Sequence, residues 1–227
     1  MSPTDHPVAW EHPPTRRAWL RQLAVNVLGL VGWVALWFAL LAVLSVLLSP
    51  GYAILVAPFL VYAFYRAFLQ VFALPAIFRM RRTLRVYPWH LRGDAPRGLT
   101  DRTDVVGRQY GWFEFPNPAR PERRLPMVFP RHWGVGWWSR RMAPRAAPEL
   151  KAQIDVVWFA GDPRFIGVLA APSPDGSAPR RFRFLHQQTG GDGGRISATD
   201  WGATVEDIER GHRAGVRPKA RYCSPAG

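Results

Sequence analysis

Residues 22–65 contain no Asp, Glu, Lys or Arg, an uncharged run of 44 positions broken only by Ser49-Pro50-Gly51. A bilayer core takes ~20 apolar residues per helical span, so the pattern predicts a hairpin of two transmembrane helices, over 22–48 and 52–78. At ~1.5 Å rise per residue each would be ~40 Å long. That exceeds the ~30 Å hydrocarbon layer, which implies tilt or protrusion. Arg16, Arg17 and Arg21 precede the run, Arg79, Arg81, Arg82 and Arg85 follow it, and the turn at 49–52 is uncharged. The positive-inside rule then predicts a multi-pass plasma-membrane protein with both termini cytoplasmic. Arg16-Arg17 superficially matches a twin-arginine export signal. The apolar run is too long for a signal peptide, however, and no A-x-A cleavage site follows it.

Small residues mark one arc of each helix: Gly32, Ala35, Ala39, Ala42, Ser45 and Ser49 on the first, Ala53, Ala57, Ala63 and Ala67 on the second. Apolar chains in lipid associate through close packing of small residues. These arcs are therefore the expected contact within the hairpin, or between copies in a homo-oligomer. Pro58 is expected to kink the second helix. Arg66 lies ~9 Å short of the inner boundary, near enough for its side chain to reach the headgroups, with Gln70 one turn on as a hydrogen-bond partner. The alternative is a charge lining a pathway in an oligomeric transport or channel subunit.

Beyond residue 78 the period changes and β patterns take over. Residues 83–87 read as a strand, following a helix break at Pro75; 90–104 are turn-rich, 105–115 are β-like, and 125–129 form a short apolar run. The clearest signal is an antiparallel meander over 154–186, punctuated by Gly161-Asp162-Pro163 and by the turn at 172–179. In its last strand Phe182 and Phe184 alternate with Arg181 and Arg183. Thr204 and Asp207 form a capping-box pair for a short surface helix at about 205–214, with a Glu206–Arg210 pair and Gly215 as stop. The expected architecture is a membrane helical hairpin plus a small mostly-β cytoplasmic domain with a short C-terminal helix. Its divisions are a disordered arm (1–21), the hairpin (22–78), the β-rich domain (79–190), and a linker, helix and disordered basic tail (191–227).

Charge adds a partner class. The net charge is +14, and all but four of the 30 Lys+Arg lie beyond residue 78. Such an excess favours anionic partners, although a GC-rich coding bias toward arginine produces the same count. Arginine and tryptophan alternate most densely at Trp133, Trp137, Trp138, Arg140 and Arg141. That mixture suits docking to anionic headgroups or stacking on nucleic-acid bases, and it equally describes tryptophans buried in a core. The tether to the bilayer favours lipid of the inner leaflet over nucleic acid. Arg79, Arg81, Arg82 and Arg85 would form a basic collar beside it.

Chemistry is sparse. The six histidines fall at no metal-ligand spacing, and no hydrolase, kinase or dinucleotide motif is present. The glycine-rich segment 190–194 lacks the GK[ST] ending of a phosphate loop, and Cys223 is the only cysteine. The expectation is a non-enzymatic protein without cofactor or metal that binds anionic lipid or a protein partner. A membrane-tethered nucleic-acid binder is the further alternative. The hairpin, the LRVYPW stretch at 84–89, the segment 158–165 (WFAGDPRF), the FLHQ of 184–187 and the Arg-rich tail resemble a family of actinobacterial two-span integral membrane proteins to which no chemistry is assigned. In architecture alone the chain is also similar to bacterial two-span proteins bearing a PH-like β-domain. Neither resemblance implies a role for any residue.

Overall fold

The structure, a computed structural model, describes residues 3–47, 53–93, 95–99, 110–130, 136–187 and 198–216. The expectations for the turn at 49–52, the segment 190–194, the tail and Trp133 fall outside these residues. The chain divides into two compact units, Arg17–Phe78 and the combination of Met1–Arg16 with Arg79–Gly227.

Two long apolar helices build the first unit. Helix α1 spans Pro13–Leu47 and α2 spans Ala53–Leu84. Both are longer than expected. Pro13 has the fixed φ that suits a first helical position. Pro58 and Pro75 both lie inside α2, so Pro75 does not end it; a proline removes only one hydrogen bond from the ladder. The strand expected at 83–87 is instead the last turn of α2 and its exit: the amides of Arg85 and Tyr87 donate to the carbonyls of Arg81 and Thr83 at 3.2 and 3.0 Å.

The helices meet through a face other than the small-residue arc. Trp19 Nε1 donates to the Ile77 carbonyl at 3.0 Å, Asn26 Nδ2 donates to the Gln70 carbonyl at 2.9 Å, and Trp33 meets Tyr62 edge-on at 5.5 Å. Positions 19, 26 and 33 are heptad-spaced and share one side of α1. Gly32, Ala35, Ala39 and Ala42 are exposed, as is Ala57. Of the second arc only Ala63 is fully buried; Ala67 is half-buried, and the side chain of Ala53 is outside the description. Indole and amide hydrogen bonds, with aromatic area, select the face here in place of close backbone approach.

The second unit is a seven-stranded antiparallel sheet: β1 His90–Gly93, β2 Arg97–Gly98, β3 Tyr110–Asn117, β4 Arg120–Pro130, β5 Val156–Gly161, β6 Ile166–Pro172 and β7 Pro179–Gln187, in the order β1-β5-β6-β7-β4-β3-β2. Two short helices, α3 Gly136–Met142 and α4 Pro148–Ala152, fall between β4 and β5. The meander β5-β6-β7 is formed as the sequence predicts. The tiny edge strands β1 and β2 occupy what reads as turn-rich sequence.

The sheet curls. Phe115 on β3 and Phe159 on β5 stack at 4.0 Å between ring centroids although β6, β7 and β4 intervene between their strands. Around them pack the buried Phe113, Phe129, Trp138, Ile154, Leu169 and Leu185. Arg97, on the far edge strand β2, donates to the Ile154 carbonyl at 2.9 Å and pairs with Asp155 at the start of β5, tying the two ends of the curl together.

The opposite face of the meander is also covered. Ala160, Val168 and Ala170 are fully buried, and Trp89 packs against Trp158 and Phe182 at 6.3 and 6.0 Å. Part of that cover is the N-terminal arm. Ala9 donates its amide to Tyr87 O at 2.9 Å, and Trp89 Nε1 donates to Thr15 Oγ1 at 2.9 Å. Among the described residues 3–21 the arm expected to be disordered is instead ordered: Ala9, His12 and Thr15 are buried. Burial on both faces removes the meaning the alternation in β7 has in a half-exposed strand. Phe184 is in register with Val168, but Arg183 is in register with the core residue Leu169, and burial lowers its pKa to about 10.

Helix α5, Val205–Ala214, carries the expected capping box and ends at Gly215 with φ 103°. It is pinned rather than merely surface-bound. Arg164, 5 % exposed, bonds Asp162 Oδ2 at 2.7 Å, Asp207 Oδ2 at 2.8 Å and Gly202 O at 3.0 Å. Arg210 pairs with Asp207 at 3.7 Å, the correction to the expected Glu206 partner.

The β5–β6 hairpin depends on Gly161, at φ 153°, where a Cβ would sit 2.4 Å from Gly167 Cα and from the Ile166 carbonyl. Gly161→Ala meets backbone, which has no rotamer to yield. We expect a loss of more than ~1 kcal/mol, read as a lower denaturation midpoint of the full chain in detergent, while a substitution at the open Gly93 leaves the midpoint nearly unchanged.

Candidate anion-binding site

Helix α3 is anchored by Trp138. Its ring is fully buried, edge-on to Phe113 at 5.8 Å, and its Nε1 donates to the Arg181 carbonyl at 2.9 Å. Trp138 is thus core rather than surface. With that side chain turned inward, Trp137 and Arg141, four residues apart, share a flanking face. Arg141 Cζ lies 3.7 Å from the Trp137 ring centroid, a cation–π stack. Its Nε and Nη2 both donate to Gln153 Oε1, at 2.9 and 2.7 Å, and its Nη1 donates to the Trp137 carbonyl at 3.0 Å.

The start of β7 adds two more cations. Arg181 has φ 57°, left-handed for a non-glycine residue, and its Cζ is 5.9 Å from the Trp137 ring. The hydrogen bond from Trp138 to its carbonyl helps hold that backbone. Arg180 donates from Nε to the Pro172 carbonyl at 2.8 Å. Burial lowers the Arg141 pKa, and Arg140, Arg180 and Arg181 lower it further. No carboxylate is among these influences: Arg141 and Arg181 stand beside one indole, and Arg140 and Arg180 are near enough to Arg141 to oppose its charge. Mutual repulsion of this kind is relieved by an external anion. Sequence reasoning found Trp137, Arg140 and Arg141 but missed Arg180 and Arg181; the signal available was an Arg-Arg pair directly after a turn with no acid beside it.

The basic collar is arranged differently. Arg81 and Arg85 lie against the Trp10 ring, at 5.3 and 5.5 Å from its centroid, while Arg79 and Arg82 are exposed. In the helical unit, Arg66 does not turn to Gln70. Its Nη1 donates to Tyr62 Oη at 3.4 Å, one turn toward the start of α2, and its Cζ lies 5.0 Å from the Trp33 ring centroid. Among the described residues no group of three His, Cys, Asp or Glu is placed to hold a metal ion. Comparison with protein-family models, curated proteins and solved structures gives no match.

One histidine is built into the arm's attachment. His12 Nδ1 lies 3.0 Å from Thr15 Oγ1, the same oxygen that accepts from Trp89. The Thr15 oxygen accepts the indole hydrogen and keeps its own hydrogen to donate, so a neutral His12 with an unprotonated Nδ1 satisfies the contact as acceptor. Burial, then His6 and the N-terminal amine, hold the His12 pKa below its ordinary value. A base depressed on folding binds fewer protons folded than unfolded, so its contribution is complete above ~6.5 and is lost as pH falls below that value. Hydrogen exchange at the Ala9 amide reads the arm directly. Its protection factor should fall on acidification from pH 7.5 to 5, and His12→Gln, which keeps an acceptor that does not titrate, should flatten the profile.

Proposed function

We propose that the chain is a two-span membrane protein whose sheet unit binds anionic lipid of the inner leaflet through Arg140, Arg141, Arg180 and Arg181. The observation that carries this reading is the pair Arg141 and Arg181 at the Trp137 ring, with Arg140 and Arg180 close enough to oppose the Arg141 charge.

The helices support the membrane half. Both are long and apolar enough to cross a membrane, and little of either apolar stretch is buried. A core helix of a soluble protein hides such surface; here Leu28, Val46, Ile54 and Phe59 are 65–79 % exposed, as side chains meeting lipid would be. A cleaved signal sequence accounts poorly for α1, because the residues just before it are structural parts of the sheet unit. Membership of Met1–Arg16 and Arg79–Gly227 in one unit also supports a topology with both flanks of the hairpin on one side of a bilayer. The arginines on both flanks favour the cytoplasmic side for it.

An arginine near an anionic surface contributes about 1 kcal/mol, so a double change should cost about 2 kcal/mol, roughly thirtyfold in affinity. The exposed pair Arg140→Gln with Arg181→Gln tests this in the full chain, held in neutral detergent and titrated with short-chain phosphatidylglycerol or phosphatidylcholine. The reading expects preference for phosphatidylglycerol, weakening with salt and with the double substitution. Equal affinity for the two lipids would sink it.

A further inference from the structure

A groove of about 380 Å³ opens beside the arginine cluster, lined in part by Leu91, Gln153, Val156, Trp158, Pro172 and Arg180. That volume lies in the ~300–1,000 Å³ range of small-molecule pockets. Strand pairing explains its apolar wall: Leu91 is in register with Trp158 and Gly93 with Val156, which puts Leu91, Val156 and Trp158 on one face at the β1 edge. Outside α1 and α2, the large apolar side chains left exposed among the described residues are Leu91 (51 %), Val156 (40 %) and Val205 (73 %). Two of these three line this one groove.

One part of the groove is cationic. Arg180 lies over Pro172 through its Nε alone, leaving both Nη groups to a ligand. Gln153, also in the lining, holds Arg141 against Trp137. Of the acids nearby, Asp155 pairs with Arg97, while Asp175 keeps its charge within its own turn, hydrogen-bonded by Ser173 and Ser177. An apolar trough joined to unneutralised arginines complements a ligand with an apolar tail and an anionic head.

We infer that this groove takes the acyl chain of a single anionic phospholipid, with its phosphate received by Arg180 and Arg181. The inference rests on the lipid-binding reading and goes beyond it, since surface attraction alone needs no chain to leave the bilayer. It is tested in the full chain in phosphatidylcholine nanodiscs doped with phosphatidylglycerol carrying a photoreactive group on its acyl chain. Cross-links are expected on the peptides holding Leu91 and Val156, and the corresponding phosphatidylcholine probe should give none there. Val156→Trp, which fills the groove from an exposed position, and Leu91→Asn, which makes it polar, should each abolish the groove cross-links. Each should weaken the preference for short-chain phosphatidylglycerol without abolishing the part that Arg140, outside the groove lining, contributes. Cross-links confined to α1 and α2, with that preference intact, overturn the groove and leave the surface reading standing. Loss of the preference itself overturns both.

Discussion

The contact between Phe115 and Phe159 sets the form of the sheet unit. Two rings from strands separated by three others can stack only when the sheet bends back on itself, and that bend creates an inside. Trp138 fills part of the inside, and α3 stands where it does because its tryptophan is held there. The arginines of α3 and of β7 converge because Trp138 touches both elements, by ring packing and through the Arg181 carbonyl. Core packing thus fixes the place of a charged surface whose members would otherwise repel one another apart.

That surface is maintained against its own electrostatics. Stacking on Trp137 and the paired bonds to Gln153 hold Arg141 where its neighbours oppose its charge. Arg181 accepts a left-handed backbone to stand beside the same ring. Arg164 is the contrast within the same unit: a buried guanidinium whose neighbours Asp162 and Asp207 match it, so it pins a helix and has nothing left to offer. Arg164 is both buried and matched by carboxylates, whereas Arg140 and Arg181 are exposed.

The sequence was legible where one local signal sufficed. An uncharged run of 44 residues gives two apolar helices, turn residues frame the meander, and Thr204 with Asp207 marks the start of α5. It misled where the deciding partner is distant. The arm reads as disordered because the groups that order it, Tyr87 and Trp89, lie more than seventy positions away. Residues 83–87 look like a strand because their side chains suit one, yet α2 arrives with enough momentum of hydrogen bonding to run through Leu84. The small-residue arc follows a general rule of helix association, while the actual face is chosen by Trp19 and Asn26, whose polar atoms find carbonyls on α2. Arg180 and Arg181 become part of a site only when the curl brings β7 to α3.

The hydrogen bond from Trp89 to Thr15 closes a loop that contains both long helices. On the proposed reading, a chain in which one helix failed to insert would leave these two residues on opposite sides of the bilayer. The arm would then have no sheet to cover, and the outer aromatic face of the meander would stay open. On the proposed reading, completion of the sheet unit thus depends on how the two helices cross. On that reading a chain with a single crossing cannot form the Trp89–Thr15 bond, and the aromatic surface at Trp89, Trp158 and Phe182 stays open.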